Sequence, residues 1–372
     1  MHFNRKELIN AVTQATRIIP KRVLQPILSC VKIQFSAAGA ELIATDLDTW
    51  FRTDLNSGVA TGTYQPTCID ARQLLAVLKA GTTDTVLIAN AVGVVTVDGL
   101  IVESFDEADY PHMPLAQLKQ PTAPIMAREL QRVIDQAAFA AAAYDHYNIL
   151  AGVYFKDGDV VCTDGSRMSL VTIESIHPFT ALVPADALLK VIAPAIKAEV
   201  KANASLMLAE LDDRRVHVQG HNWEIITRQI NGEYPRYKEL FPEASMQTFT
   251  TFEKQSVLAA LKLIKPFLNK HTNRIVVDLQ SGTMTVGDNK ATFQCDLSYQ
   301  LHDRLGATDP KQQIDPVFGV NFNYFLQAIE SAPGDQVQMS YQAPLKPLVF
   351  ECDDYRHLLM PVHYKEKEKS IA

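Results

Sequence analysis

The pattern of hydrophobic and polar positions repeats three times along the chain. A helical pattern, in which apolar residues recur three and four positions apart, opens each repeat. The three openings cover residues 5–12, 127–134 and 254–261. If Leu8, Leu130 and Val257 are equivalent, successive repeats lie 122 and 127 residues apart. This period predicts three copies of one structural unit within the 372 residues.

Two further landmarks follow in the same order within each repeat. Apolar and β-branched residues ending in aspartate indicate a strand that enters a tight turn, and these aspartates are Asp46, Asp164 and Asp288. A second helical pattern then begins after a short strand, at residues 69–75, 183–189 and 320–326. We therefore predict an α+β fold of three repeated domains, each with two helices and about eight short, mainly antiparallel strands.

Proline-rich stretches suggest where the repeats end. They lie at residues 114–124 and around 241–244. We predict domains at residues 1–120, 121–243 and 244–364, followed by a charged tail at 365–372 that we expect to be disordered. Pro266 lies inside the third helical opening, which predicts that this helix ends or kinks near Lys265.

Composition is that of an ordinary globular protein, with 47% hydrophobic and 21% charged residues. No apolar run reaches the roughly 18 residues of a membrane span, and the start of the chain has no apolar segment typical of a signal peptide. We therefore expect a cytoplasmic protein with no membrane contact. The cysteines are far apart, which favours buried free thiols over metal ligands or a disulfide framework; they are Cys30, Cys68, Cys162, Cys295 and Cys352.

Positive charge is concentrated in the predicted helices. The formal net charge is -7, yet the six helical segments with their flanks sum to +8, so the remainder carries -15. A set of basic helices on an acidic body is typical of a surface that faces a polyanion. Lysine-rich surface helices also serve solubility, and charge alone leaves both interpretations open.

The sequence contains none of the common catalytic motifs, such as the phosphate-binding loop, the nucleophile elbow or the zinc protease motif. His217 and His221 have the spacing of helical metal ligands, but Gly220 and the strand-like surroundings indicate a hairpin instead. The three repeat aspartates lie in separate domains, so we interpret them as turn formers rather than acid–base catalysts. We expect no metal, no cofactor and no enzymatic activity.

Several short strings resemble the bacterial sliding clamp, the DNA polymerase III beta subunit family. They occur in the family's order along the whole chain, at residues 24–28, 44–48, 109–111, 150–153, 163–168, 232–237, 319–324 and 359–362. The most specific are the Thr-Asp-Gly-Ser-Arg-Met string at 163–168 and the Met-Pro pair near the end. The resemblance implies a head-to-tail homodimer, a six-domain ring that encircles double-stranded DNA without reading its sequence. The implied partners are the DNA polymerase III catalytic subunit, the clamp loader and other proteins that carry clamp-binding motifs.

The resemblance also implies a partner-peptide pocket between the second and third domains. Carried over position by position, it comprises Leu150, Thr163, Gly165, Ser166, Arg167, Met168, Pro235, Glu239, Leu240, Lys346, Pro347, Leu358, Met360, Pro361 and Val362. An apolar groove with a few polar groups suits a peptide anchored by one or two buried side chains. Glu239 stands where the family often has a basic residue, a change that would alter motif preference. Without the resemblance, Met168, Leu358 and Met360 would be interpreted as core residues.

Equivalent positions for DNA contact and for the dimer interface follow from the same resemblance. The implied DNA-binding residues are Arg22, Arg72, Tyr144, Tyr147, Asn148 and Ile149. The family often has a pair of tyrosines where this chain has Asn148 and Ile149, and Tyr144 and Tyr147 are candidates to replace them. The implied interface residues are Leu100, Val102, Phe267 and Leu268.

Two other functions remain open from the sequence. One is a diverged clamp paralogue that serves a repair or mobile-element polymerase. The other is a monomeric peptide-binding scaffold that does not encircle DNA, which the altered loop around Asn148 would allow. Native mass and retention on circular DNA distinguish a ring from a scaffold.

Overall fold

The computed structural model describes most of the chain, which forms two compact units. The described residues are 1–20, 25–36, 39–59, 65–91, 94–114, 117, 123–143, 148–211, 213–242, 248–286, 291–294, 302–303, 317–341 and 345–364. Unit 1 comprises Met1–Ile134, Phe155–Gly158 and Ser175–Asn231. Unit 2 comprises Asp135–Tyr154, Asp159–Glu174 and Gly232–Ala372.

Most of the regular secondary structure in both units consists of short strands. In chain order they are β1 (His2–Asn4), β2 (Cys30–Ser36), β3 (Gly39–Thr45), β4 (Thr49–Leu55), β5 (Thr67–Asp70), β6 (Thr85–Ala91), β7 (Val94–Val97), β8 (Leu100–Val102), β9 (Ser104–Phe105), β10 (Ala123–Met126), β11 (Gly152–Lys156), β12 (Asp159–Thr163), β13 (Arg167–Thr172), β14 (Thr180–Pro184), β15 (Ser205–Glu210), β16 (Arg215–Gln219), β17 (Trp223–Arg228), β18 (Thr248–Glu253), β19 (Arg274–Asp278), β20 (Thr283–Val286), β21 (Ala291–Gln294), β22 (His302–Asp303), β23 (Val317–Asn321), β24 (Gln336–Tyr341), β25 (Leu348–Cys352) and β26 (Tyr355–Leu359).

The longer α-helices each begin directly after a strand. In chain order the α-helices are α1 (Arg5–Ala15), α2 (Ala71–Ala80), α3 (Ala127–Gln136), α4 (Ala193–Ala195), α5 (Lys197–Ala202), α6 (Lys254–Ile264) and α7 (Phe322–Ser331). Several begin at a residue whose side chain accepts hydrogen bonds from the exposed amides of the first turn. Asn4 does so for α1, Asp70 for α2 and Asn321 for α7.

Two helices depart from the regular pattern. The second helical segment of the middle repeat starts as a π-helix at Ala187–Ile192 before it continues as α4 and α5. The third opening helix, α6, ends at Ile264 and continues as a 3-10 turn at Lys265–Phe267. The end of α6 confirms the prediction made from Pro266, whose ring prevents regular helix geometry.

Unit 1 contains a four-stranded sheet and a nine-stranded sheet. The small sheet has the order β1-β6-β7-β8, and the large one has the order β10-β15-β16-β17-β4-β3-β2-β5-β9. Within the large sheet, β4 from the first repeat pairs antiparallel with β17 from the second, so that Trp50 lies opposite Ile226. We call this β4–β17 pairing the first seam.

Unit 2 is built in a similar way. Eight strands of a second large sheet run in the order β11-β12-β13-β26-β25-β24-β18-β22, and its small sheet has the order β21-β20-β19-β23. Here β13 from the second repeat pairs antiparallel with β26 from the third, so that Met168 lies opposite Leu358. We call this β13–β26 pairing the second seam. In both units the core lies between the sheets and the helices, where Leu8, Leu74 and Phe325 are almost fully buried.

The predicted α+β fold, with helices beside antiparallel sheets, is confirmed. The two compact units divide inside the middle repeat, so the domain ends at 120, 243 and 364 stay a prediction. Among the described residues, no helix is long and apolar enough to cross a bilayer.

Local predictions can be compared residue by residue. His217 lies in β16 and His221 in the following turn, which confirms the hairpin. Within the described part of the chain, no three His, Cys, Asp or Glu side chains are grouped to hold a metal ion. Of the cysteines, Cys30, Cys68 and Cys162 are buried free thiols, whereas Cys352 is only half-buried; Cys295 lies outside the described residues.

Candidate functional site

A tight turn between β12 and β13 forms one side of the candidate site. The Thr163 hydroxyl donates to the Arg167 carbonyl (2.6 Å) and accepts from the Gly165 amide (3.1 Å). Asp164 Oδ1 accepts from the amides of Ser166 (2.9 Å) and Arg167 (3.1 Å). Gly165 has a φ of 88°, a conformation that favours glycine. The predicted turn-forming role of Asp164 is therefore confirmed; Asp288 lies outside the described residues.

Strand pairing brings distant apolar residues into one row beside this turn. Thr163 pairs with Met168 across β12 and β13, and Met168 pairs with Leu358 across the second seam. All three side chains are at least nine-tenths buried. The Met360 amide donates to the Ser166 carbonyl at 2.9 Å, which attaches the end of β26 to the turn.

Other apolar residues of the predicted site are more exposed. Leu240 is 53% exposed and Met360 38%, and Leu345, next to the predicted Lys346, is 51% exposed. Pro235, Glu239 and Lys346 are also exposed. Gly165 and Ser166 are exposed as well, and four predicted pocket residues are half-buried: Leu150, Pro347, Pro361 and Val362. A large exposed apolar side chain beside a buried apolar row is a feature of binding surfaces.

The segment that carries Pro235 and Leu240 is attached to β12 through Asp159. The Tyr237 hydroxyl donates to Asp159 Oδ2 at 2.8 Å, and Lys238 forms an ion pair with the same carboxylate at 3.0 Å. These contacts hold the 3-10 turn Tyr237–Leu240 on the sheet. Glu239 forms a longer ion pair with Arg236, at 3.6 Å, between two highly exposed side chains.

The residues after Met360 bind the neighbouring sheet of unit 2. The Val362 amide donates to the Gly319 carbonyl of β23 at 2.8 Å. A Cβ at Gly319 would lie 2.7 Å from the Val362 carbonyl oxygen, so a side chain there would push this segment away. The Tyr364 hydroxyl also donates to the Val317 carbonyl at 3.1 Å. Backbone contacts thus explain why Pro361 and Val362 stay next to the site.

Arg167 differs from the other predicted pocket residues because its side chain is on the opposite face of β13 from Met168. Only 7% of Arg167 is exposed. Its guanidinium forms an ion pair with Asp164 at 3.0 Å and donates to the Phe139 carbonyl at 2.8 Å and to Gln327 of α7. The structure therefore shows a buried arginine whose charge is already compensated.

A buried histidine lies on the same face of the second seam. Ser169 and His357 are cross-strand partners, with 2.6 Å between Ser169 Oγ and His357 Nδ1. Complete burial, and secondarily the charge of Arg167, lowers the pKa of His357 to about 3. His357 is therefore neutral at physiological pH, and it packs against the Phe139 and Tyr355 rings.

The predicted DNA-binding residues are only partly described. Arg22, Tyr144 and Tyr147 lie outside the described residues. Arg72 is exposed in the first turn of α2, and its guanidinium donates to the Pro20 carbonyl at 3.0 Å. Asn148 caps the 3-10 turn Ile149–Ala151. Ile149 packs so closely on Gly232 that a Cβ there would lie 2.4 Å from Ile149 Cγ2.

The predicted interface residues divide by exposure. Leu100 and Phe267 are 58% and 55% exposed, whereas Leu268 is half-buried and Val102 is buried. Val102 therefore faces the core of this chain, and whether these four residues form an interface stays a prediction. Ile101, beside Leu100, is 78% exposed. The edge strand β8 thus leaves both Leu100 and Ile101 uncovered.

Two family descriptions match this chain. "DNA polymerase III beta subunit, N-terminal domain" matches residues 1–114, and "DNA polymerase III beta subunit, central domain" matches residues 124–236. Together these ranges cover more than half of the chain. Among curated relatives, the "Beta sliding clamp" of Treponema pallidum is 19% identical over 376 residues, or 96% of this chain and 98% of that protein. The "Beta sliding clamp" of Borreliella burgdorferi is 26% identical over 262 residues, or 64% of this chain and 61% of that protein.

Solved structures share the fold at low sequence identity. The DNA polymerase III subunit beta of Borrelia burgdorferi, solved in complex with a natural product, has a TM-score of 0.84 and 21% identity over 98% of this chain and 99% of that chain. A putative DNA polymerase III beta subunit of Eubacterium rectale has a TM-score of 0.83 and 18% identity over 97% of this chain and 98% of that chain. The fold is thus that of a DNA polymerase sliding clamp. The chain belongs to the DNA polymerase III beta subunit family.

Proposed function

We propose that two copies of this chain close head to tail into a ring around duplex DNA and act as a processivity factor without catalysing a reaction. The observation that carries this proposal is the state of the strand edges. Both seams join a sheet segment from one repeat to a segment from the next. Among the described strands, the small sheets of unit 1 and unit 2 pair with no segment from another repeat.

Two edges are available for a third kind of seam. Among the described strands, β8 is paired only with β7, and β21 only with β20. Exposed strand edges favour pairing with another chain. Each chain already contains two internal seams. If β21 of one copy pairs with β8 of a second copy, two of these contacts between the copies close a ring. Leu100 and Ile101 on β8, with Leu263 and Phe267 at the end of α6, would supply apolar area to that contact.

Sequence-independent DNA contact is supported by the charges on the helices. Arg72, Lys197 and Lys262 are exposed on α2, α5 and α6. Contacts from such cations to phosphates carry no base information and weaken as salt concentration rises. A protein that slides along DNA requires such contacts. Because bacterial chromosome replication takes place in the cytoplasm, we expect the protein to work there.

We propose the second seam as the partner-peptide site. The row Thr163, Met168 and Leu358 would form its floor, and Leu240 and Met360 its exposed sides. A flexible methionine adapts to several partners. The expected partners are the DNA polymerase III catalytic subunit, the clamp loader and other proteins with clamp-binding motifs. The sliding clamp of Bartonella birtlesii has been solved bound to griselimycin, which makes that compound a useful probe here.

Light scattering across a dilution series tests the ring first. A dimer of about twice 41.3 kDa is expected, and Ile101→Lys should produce monomers because it places a charge on the exposed β8 edge. Leu47→Lys is the matched control, since Leu47 is exposed but lies in a turn away from that edge. A wild-type monomer at every concentration would refute the constitutive ring.

DNA encirclement is then tested on nicked circular plasmid, with ATP and the clamp loader of the same bacterium. The dimer should remain with the circle during gel filtration and be released when the plasmid is linearised. Retention on linear DNA with free ends would indicate ordinary binding instead of a ring.

A further inference from the structure

We propose that Arg167 is a positioning residue for the peptide site: it attaches the turn beside the site to helix α7 and does not itself contact the peptide. This inference rests on the proposed function of the second seam. It assigns Arg167 a role different from that of its neighbour Met168, which lies in the apolar row.

The direction of the side chain is the first argument. Successive residues of a strand point to opposite faces of the sheet, and Met168 is in the row with Thr163 and Leu358. Arg167 therefore points to the helix side. There it donates to the Phe139 carbonyl at 2.8 Å and to Gln327 Oε1 of α7. With 7% exposure, little of the guanidinium remains for a peptide.

Two aromatic rings hold the guanidinium in place. Its central carbon lies 4.2 Å from the centre of the Tyr324 ring and 5.3 Å from that of Phe139. Burial, and secondarily the nearby charge of Asp164, raises the pKa of Tyr324. Arg167 pairs with Asp164, the residue that organises the turn, while the Tyr324 ring packs against its guanidinium. A contact from α7 is thereby transmitted to the backbone of the site.

The equivalent turn of the first repeat shows that the arginine is not needed to form the turn. There the Thr45 hydroxyl donates to the Thr49 carbonyl (2.9 Å) and accepts from the Leu47 amide (2.8 Å). Asp46 Oδ1 accepts from the Thr49 amide at 2.6 Å. Thr49 occupies the position of Arg167, so a short side chain is compatible with the same backbone hydrogen bonds. What Arg167 adds is the attachment of the turn to α7 and Phe139.

The test uses a residue that lies on α7 and not in the apolar row. Gln327→Met keeps the side-chain volume but removes the acceptor that Arg167 uses. The probe is a fluorescein-labelled ten-residue peptide with a central Leu-Phe pair between polar residues, and binding is measured by fluorescence anisotropy on the full-length dimer. We expect the Kd to rise about ten-fold, the effect of one lost hydrogen bond to a charged group. Arg167→Gln should raise the peptide Kd at least as much. The double variant, Arg167→Gln with Gln327→Met, should have the same Kd as Arg167→Gln alone, because both changes remove the same contact.

Ser169→Ala is the matched control. Ser169 lies in the same strand as Arg167, and this change removes its buried hydrogen bond to His357 of β26 but leaves the turn intact. The peptide Kd should therefore change by less than about two-fold, while the stability of the protein falls. If Gln327→Met binds like the wild type while Arg167→Gln loses the peptide, Arg167 contacts the peptide directly and the inference is wrong. If Ser169→Ala raises the peptide Kd as much as Gln327→Met does, any loss of stability at the second seam weakens peptide binding. The specific positioning role of Arg167 would then also be refuted. If the wild type does not bind the peptide but is a dimer retained on DNA, the peptide site fails, and this inference with it, while the ring stands.

Discussion

The first seam and the second seam share one backbone arrangement but present different surfaces. At the first, the Arg228 amide donates to the Asp48 carbonyl at 2.9 Å; at the second, the Met360 amide donates to the Ser166 carbonyl at the same distance. The turns beside them have the same side-chain and backbone hydrogen bonds. Position by position, Trp50 corresponds to Met168 and Arg228 to Met360.

Side-chain volume and charge close the first seam. Trp50 is 3% exposed and packs in a buried cluster with Ile27, Tyr110 and Ile226. Above this cluster, Arg228 forms an ion pair with Asp48 at 3.3 Å. The corresponding residue at the second seam, Met360, is 38% exposed and uncharged.

Ion pairs also cross the first seam. Arg52 of β4 binds Glu224 of β17 at 3.0 Å and Glu41 of β3 at 3.0 Å, and Glu224 lies 2.8 Å from His217 Nε2. At the second seam Leu170 takes the position of Arg52 and Arg356 that of Glu224, so this pair cannot form an ion pair. Arg356 instead binds Glu351 of the adjacent strand β25. The comparison teaches that a duplicated seam can be sealed by a large ring and ion pairs in one copy and left apolar in the other, as the proposed peptide site requires. Four experiments test this difference, beginning with the largest expected effect.

Trp50→Ala should destabilise the protein most. Removing a buried ring leaves a cavity, and the free energy of unfolding should fall by about 3–5 kcal/mol. Chemical denaturation measures this loss. Peptide affinity of the folded protein should stay unchanged, because Trp50 belongs to the sealed seam. If Trp50→Ala weakens peptide binding as much as Met168→Ala does, the two seams are not separate in function.

Acid should weaken the second seam through His357. Its pKa in the folded protein is about 3, below the ordinary 6.5, so the unfolded chain binds more protons between these values. Stability is therefore complete above pH 6.5 and is lost as pH falls towards 3, by about 2 kcal/mol at pH 5. His357→Phe should remove most of this pH dependence, measured by denaturation at pH 7 and pH 5. A variant with the same slope as the wild type would show that other groups cause it.

Met360→Ala should separate binding from stability. Because Met360 is exposed, we expect the free energy of unfolding to change by less than about 0.5 kcal/mol. Peptide Kd should rise about ten-fold if Met360 covers a buried peptide side chain. Arg228→Ala, at the corresponding position of the first seam, should leave the peptide Kd unchanged. Equal effects of both variants on binding would contradict the comparison.

Glu224→Gln should produce the smallest effect, about 1 kcal/mol or less, because Arg52 is partly exposed. The hydrogen bond from His217 is the main cause that lowers the pKa of Glu224 below its ordinary 4.5. A depressed carboxyl pKa stabilises the fold above pH 4.5, and this contribution disappears as pH falls further. The difference between wild type and variant should therefore be present at pH 7 and vanish in acid. Thermal unfolding of both proteins at pH 7 and in acid, below pH 4.5, provides the measurement. A stability difference that persists in acid would exclude the ionised Glu224 as its source.

Local sequence was sufficient for much of the fold. The helical openings of the repeats and the turn at Asp164 were predicted from periodicity and from turn chemistry. The caps at Asn4 and Asn321 are also local, although the sequence analysis did not predict them. The pocket positions came from family resemblance, and whether they bind a peptide stays a prediction. The exposure of individual residues was not predicted: Val102 is buried and Ile101 is exposed on β8, and which strand forms the edge of a sheet depends on the pairing of all its strands.

The surfaces of the two seams depended on the folded chain. Met168 and Leu358 are far apart in sequence and meet only because β13 and β26 pair in one register. No local pattern distinguishes the first seam, which Trp50 fills, from the second, where Met360 stays partly exposed. The physical reason is that periodicity acts over a few residues. The surface beside each seam, and the charges on it, depend on side chains that the fold brings together from two different repeats.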